Sequence, residues 1–194
     1  ARLRIADVPL HVIQRGNNRQ AIVVDDHDRI TFLRELGELA AERSLAVHAY
    51  VLMDNHIHLL ATPQAQGDLS WVMQALGRRY VHAFNRRHGR TGTLWEGRFR
   101  AAVVETDRYF LACQRYIELN PVRAGVADDP AAFRWSSAPH HLGIRADSLV
   151  SDHSVFWTLG NTPFEREAAY RDLLAQGISA DEVKKRASSD HVAR

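Results

Sequence analysis

Apolar and polar positions divide the chain into short stretches that alternate and longer stretches with helical period. Residues 10–14, Leu-His-Val-Ile-Gln, alternate in part and predict a first strand ending in the turn-forming cluster Arg15-Gly16-Asn17-Asn18-Arg19. Over 26–43 the apolar positions Ile30, Leu33, Leu36 and Ala40 recur at helical spacing. Residues 45–53 are rich in Val, Ala, Tyr and Leu, Asp54-Asn55 supplies turn chemistry, and 56–62 returns as a strand closed by Pro63, a hairpin pattern. Helical period resumes over 69–88 through Val72, Met73, Leu76, Tyr80, Val81 and Phe84. Gly89, Gly92 and Gly97 mark a loop, followed by a strand over 99–104. Thr106 is the expected N-cap of a helix over 107–119, which Pro121 should end, because the residue before proline is pushed out of the α region.

The order strand, helix, strand, strand, helix, strand, helix predicts an α+β fold, a ferredoxin-like antiparallel sheet of about four strands with helices on one face. After Val126 the pattern weakens. Two capping boxes, Thr162-x-x-Glu165 with Pro163 at N1 and Ser179-x-x-Glu182, announce short helices. The expected organisation is a main domain over 1–126 and a mostly helical C-terminal tail over 127–194.

Composition narrows the class. No apolar run approaches the roughly 20 residues that span a bilayer, and no signal-peptide core stands at the N-terminus, so a cytoplasmic protein with no membrane partner is expected. The single cysteine, Cys113, excludes an internal disulfide and a multi-cysteine metal centre. The net charge of +2 conceals segregation: Arg78, Arg79, Arg86, Arg87, Arg90, Arg98 and Arg100 lie close together against one acid, Glu96, whereas the region from Asp25 to Glu42 is acidic. Clustering of that kind suits a phosphate backbone. A genome rich in G and C would explain arginine in place of lysine, but not its clustering.

Two motifs carry chemistry. In Asn55-His56-Ile57-His58-Leu59-Leu60, strand alternation points His56 and His58 to one face, half of a metal site. In Tyr116-Ile117-Glu118-Leu119-Asn120-Pro121, Tyr116 and Asn120 are helical neighbours that could offer a phenol nucleophile and an amide ligand. Each motif alone has a plainer explanation: paired strand histidines more often accept core hydrogen bonds, and a helical tyrosine is usually core or rim. The stripe Phe110, Cys113 and Ile117 carries the helix's apolar face, which leaves Tyr116 on a different one; Tyr109, seven residues back, is the rival nucleophile. Trp95 and Phe99, interleaved with Arg98 and Arg100, either stack on unpaired bases or cap the core. No nucleophile elbow, His-Glu-x-x-His or phosphate-cradling glycine loop is present, so phosphoryl chemistry would run without a nucleotide cofactor, through a covalent intermediate.

These segments, together with Gly92-Thr93-Leu94-Trp95-Glu96-Gly97-Arg98-Phe99, the run to Ala124 and the opening His11-Val12-Ile13-Gln14-Arg15-Gly16-Asn17, resemble the single-tyrosine HUH transposases, and among them the REP-associated tyrosine transposases. The resemblance covers residues 8–135. It implies a ferredoxin-like catalytic domain, Tyr116 as nucleophile, and His56, His58 and Asn120 as ligands of Mg²⁺ or Mn²⁺; many members carry Gln where this chain has Asn120. It further implies single-stranded or hairpin DNA as partner, held by Arg15, Asn17, Arg78, Arg79, Arg86, Arg87, Trp95, Arg98 and Arg100. The expected activity is cleavage and rejoining of one strand through a 5′-phosphotyrosine, in the bacterial cytoplasm at the nucleoid, with a homodimer compatible with it. Two alternatives stand beside it. One is a non-cleaving hairpin-binding protein descended from such an enzyme. The other is a zinc hydrolase recruiting His11, His48 or His140.

Overall fold

The computed structural model describes residues 5–177. Four strands, β1 (Leu10–Arg15), β2 (Leu45–Leu52), β3 (His56–Pro63) and β4 (Arg100–Val103), form one sheet in the order β2-β3-β1-β4, with every pair antiparallel. With α1 (Asp26–Glu42) after β1 and α2 (Asp68–Arg87) after β3, this is the expected ferredoxin-like α+β arrangement. Asp25 caps α1 by accepting from the Asp28 amide, and Thr106 caps α3 (Asp107–Glu118) through the Tyr109 amide, as its sequence position predicts.

Burial explains which helix goes where. Val12, Leu59 and Tyr50 on one sheet face join Phe32 and Leu36 of α1 and Leu76 and Tyr80 of α2 in the main core. Helices on one face therefore describes α1 and α2. The other face is apolar too, and α3 covers it, packing Phe110, Cys113 and Ile117 on Ala49, Val51 and Leu60. A sheet buried on both faces needs a layer on each.

One irregularity redirects a side chain. The β2–β3 register shifts between Val47 and Ala49, so Leu45 and Val47 share a core with Tyr50 and Leu52 despite opposite parity. His48 falls at the shift and reaches Thr62 Oγ1 at 2.9 Å and the Ser151 carbonyl at 2.7 Å. A one-residue bulge has this effect because strand period is two.

Pro121 acts differently from its expected role. Leu119 keeps helical dihedrals (φ −83°, ψ −1°), and Pro121 opens a further turn, α4 (Asn120–Arg123). Proline is tolerated at the first turn because no amide bond is needed there. Asn120 thus follows Tyr116 on a backbone that stays helical through Leu119.

Among the described residues after 126, short helices α5 (Ala138–His141) and α6 (Ser154–Trp157) and the longer α7 (Pro163–Ala175) alternate with irregular chain, and the Thr162 capping box is formed. Ser179-x-x-Glu182 lies outside the described residues. This segment packs closely on the sheet. The Leu52 amide donates to the Trp135 carbonyl at 2.9 Å, the Ser137 amide to Tyr50 at 3.0 Å and the Ser151 amide to Val47 at 2.7 Å, covering the outer edge of β2. Covering protects an edge strand from pairing with another chain. No helix among the described residues is long and apolar enough to cross a membrane.

Candidate active site

The β1–β3 register builds the site. Ile13 stands opposite His58, Arg15 opposite His56 and His11 opposite Leu60, so alternation sends His11, Ile13 and Arg15 to the same face as the two histidines. That face carries α3. Tyr116 of α3, Asn120 and Arg123 of α4, and the loop residues Arg19, Glu96 and Arg98 complete a cleft of about 510 Å³, with Arg100 of β4 at its side. His56, His58, Tyr116 and Asn120, distant in sequence, all line it.

The histidines are held by defined partners. His56 Nδ1 lies 2.6 Å from Asn55 Oδ1, an acceptor, so Nδ1 carries the proton. Burial first, and then the Arg15 charge, hold His56 below the usual imidazole range against the opposing effect of Asn120, and so favour the neutral ring. His58, only 4% exposed, has Nδ1 2.9 Å from His11 Nε2, and the two rings stack with centroids 5.2 Å apart. His56 and His58 stand edge to face at 5.0 Å.

Tyr116 faces both His11 and His58, at ring distances of 6.0 and 5.8 Å, and the Arg123 guanidinium sits 4.6 Å above its ring. Tyr109, 41% exposed, stands two turns away and does not line the cleft. Cys113 is buried against the sheet, as its place on the apolar stripe predicts.

The predicted DNA-binding residues divide. Arg15, Arg98 and Arg100 line the cleft. Arg78, Arg79, Arg86 and Arg87 belong to α2, across the sheet, and do not form a track into it. Arg87 pairs with Asp25 and Asp28, each at 2.6 Å, and Arg79 with Glu35 and Glu42 at 3.7 and 3.9 Å. These arginines answer the acidic side of α1. Trp95 is a core cap: its ring meets Phe32 at 6.3 Å and Tyr80 at 6.5 Å, and Phe99 packs on the same core. Asn17 donates its amide to the Leu94 carbonyl at 2.9 Å, tying the first turn to the loop. Gly16 is required there, since a Cβ would stand 2.2 Å from the Gln20 carbonyl oxygen.

Arg19, Glu96 and Arg123 line the cleft without having been singled out as site residues in the sequence, and His11, named there only as a ligand of the zinc alternative, stands behind His58. The alternation of β1 would have pointed to His11 once its pairing with β3 was known. Arg123, three residues beyond Asn120, had the spacing of one helical turn.

A second group, His140, His141 and Asp152, brings three ligand atoms within 4.8 Å of one another and is compatible with a divalent metal. Here it is wired as an ion-pair network. The Asp147 amide donates to His140 Nδ1 at 3.1 Å, which puts the His140 proton on Nε2, toward Asp152. His141 Nδ1 bonds Glu118 at 2.6 Å; burial opposes charging this ring, but Glu118 first and then Asp152 prevail and raise its pKa to about 9.

The fold matches a REP-associated tyrosine transposase bound to a REP hairpin, at 19% identity and a TM-score of 0.63, covering 80% of this chain and 94% of that one. Two weaker likenesses are to a Deinococcus radiodurans protein described as a transposase (22% identity, TM-score 0.43, covering 65% and 90%) and to a bacterial tRNA(His) guanylyltransferase-like protein in complex with GTP (15%, 0.42, covering 66% and 73%). No curated protein matches the chain in sequence. The family model for IS200-like transposases matches residues 5–120, which span the sheet, both histidines, Tyr116 and Asn120, and the chain therefore belongs to the IS200-like transposase family.

Proposed function

We propose that this transposase is a metal-dependent enzyme of the REP-associated tyrosine branch that cleaves and rejoins single-stranded or hairpin DNA through Tyr116. The observation that carries this is the meeting of Tyr116, His56, His58 and Asn120, from three separate elements, in one arginine-rich cleft. The hairpin held by the REP-associated neighbour supports the choice of substrate.

The donor set fits a divalent ion. His56 is neutral with its proton on Nδ1, so Nε2 is its ligand atom. His58 would present Nε2 as well in the tautomer whose Nδ1 donates to His11 Nε2, 2.9 Å away, the second-sphere pattern of metal-bound histidines. Asn120 would add an amide oxygen; a nitrogen-rich set favours Mn²⁺ over Mg²⁺, and cellular abundance favours Mg²⁺. Held by these residues, such an ion would supply Lewis-acid polarisation of a non-bridging oxygen of the scissile phosphate.

The remaining work falls to side chains. Arg15, Arg98 and Arg100 hold the phosphates and orient the strand. Arg123, over the ring of Tyr116, places a positive charge beside the attacking group, where the scissile phosphate would come to lie. The phenolate oxygen bonds to phosphorus as the bond to the 3′ oxygen breaks. The phenol proton passes to solvent water, the 3′ oxygen takes one up from solvent, and the 5′ end stays on Tyr116. Attack by the 3′ hydroxyl of a new end reverses these changes and joins the strands, with no nucleotide consumed.

Incubating end-labelled hairpin DNA with the protein in Mg²⁺, Mn²⁺ or excess chelator, then running a denaturing gel, tests this. A metal-dependent band retarded by one protein mass is expected. Tight binding of the hairpin with no cleavage under any metal condition would support the non-cleaving alternative.

A further inference from the structure

Glu118 lies two residues past Tyr116 and two before Asn120 on the same run of helix, and it is fully buried. Its Oε1 accepts from Ser137 Oγ at 2.5 Å and from His141 Nδ1 at 2.6 Å, and its Oε2 from the Tyr170 hydroxyl at 2.6 Å. All three donors come from the segment after residue 126. On the other side of Tyr116, Arg115 donates to the carbonyls of Leu173 and Gly177 at 3.2 Å each. The two charged residues that bracket the tyrosine are thus both gripped by the C-terminal segment.

The helix presents three faces with three tasks. Cys113 and Ile117 meet the sheet, Tyr116 and Asn120 meet the cleft, and Arg115 and Glu118 meet the C-terminal segment. Apolar contacts on the first face hold α3 down but resist rolling and sliding weakly, since dispersion is non-directional. Hydrogen bonds to a buried carboxylate are directional, and the low dielectric around them makes a shifted geometry costly. A roll of α3 moves the phenol relative to His56 and His58, and about 1 Å of misplacement at a reacting centre can cost roughly 10²-fold in rate.

We propose that Glu118 is a positioning residue for Tyr116 and Asn120, and that the C-terminal segment sets the roll of α3 through Ser137, His141 and Tyr170. This assigns the segment a task in cleavage, and it rests on Tyr116 being the nucleophile.

The test uses the full chain with Tyr170→Phe and the milder Ser137→Ala, against Leu36→Ala, a core truncation on the opposite sheet face that destabilises without touching the network. Two readouts are taken well below each melting temperature. One is the single-turnover rate of adduct formation at saturating hairpin DNA, together with the Kd for that DNA. The other is the ¹⁹F resonance of Tyr116 in protein carrying 3-fluorotyrosine, assigned with Tyr116→Phe. Tyr170→Phe should slow the adduct step about tenfold or more with an unchanged Kd, and should shift or broaden the Tyr116 resonance. Ser137→Ala should do so less, and Leu36→Ala not at all. Wild-type rates and an unmoved resonance in Tyr170→Phe and Ser137→Ala would overturn the positioning role. Should the wild-type protein form no adduct, the nucleophile assignment fails, while the ¹⁹F resonance still decides whether the segment positions the ring.

Discussion

Two ring nitrogens govern what the cleft histidines can do. Asn55 holds the proton of His56 on Nδ1, and His11 sits on Nδ1 of His58, so each ring has an orienting partner opposite the cleft. Removing such a partner typically weakens metal affinity by about 10–100-fold. His11→Ala should therefore shift the Mn²⁺ midpoint for cleavage upward by that order and leave the rate at saturating Mn²⁺ largely restored. An unchanged midpoint in a metal titration would deny His11 this task. On the proposed ligand set, His56→Ala and His58→Ala would each remove a ligand outright, and each should be inactive at any Mn²⁺ concentration while keeping the wild-type circular dichroism spectrum.

At the scale of elements, helix α3 is fixed by charge as well as by apolar contact. His141 rises from its ordinary 6.5 to about 9 in the folded state, its burial outweighed by Glu118 and Asp152. A raised pKa contributes stability that is complete below 6.5 and is lost as pH climbs through 9. The melting temperature should thus decline between those limits, and His141→Asn should flatten the slope; an identical slope in that variant would place the titration elsewhere. Trp95 belongs at this scale too. Packed against Phe32 and Tyr80, it should behave as a core residue, so Trp95→Ala is expected to cost about 2–3 kcal/mol in denaturant unfolding while single-strand preference survives. The four strands and helices α1, α2 and α3 were legible in the sequence, because each had its own period or cap: the histidine alternation, the Thr106 cap and the Phe110-Cys113-Ile117 stripe all appear as predicted, whereas the turn that Pro121 opens, α4, was not legible. What stayed hidden depends on pairing between distant segments. The bulge at His48, the meeting of His11 with His58 and the docking of Ser137, His141 and Tyr170 on Glu118 have no local signature.

For the whole molecule, charge is divided between two faces with different tasks. The arginines of α2 balance the acids of α1, and those of the cleft stand beside His56, His58 and Tyr116. Clustering in sequence could not separate them, since the sheet lies between. Arg98→Ala and Arg100→Ala should each reduce the log–log salt slope of single-strand binding by about 0.7, the value for one phosphate contact. Arg79→Ala should leave the slope alone. Arg87→Ala should chiefly destabilise the fold, because the buried Asp28 loses a charged partner. Equal slopes for the cleft and α2 variants, measured by fluorescence anisotropy across salt, would mean that DNA contacts both faces.

One experiment bears on all three scales: identification of the amino acid that carries the DNA. Cleavage of a labelled hairpin in Mn²⁺, proteolysis of the adduct and peptide mass spectrometry should find the nucleotide on Tyr116. Tyr116→Phe should yield no adduct at all while binding the hairpin as before. A nucleotide on the exposed Tyr109, or DNA cut with no tyrosine modified, would contradict a reaction built on the cleft of His56, His58, Tyr116 and Asn120.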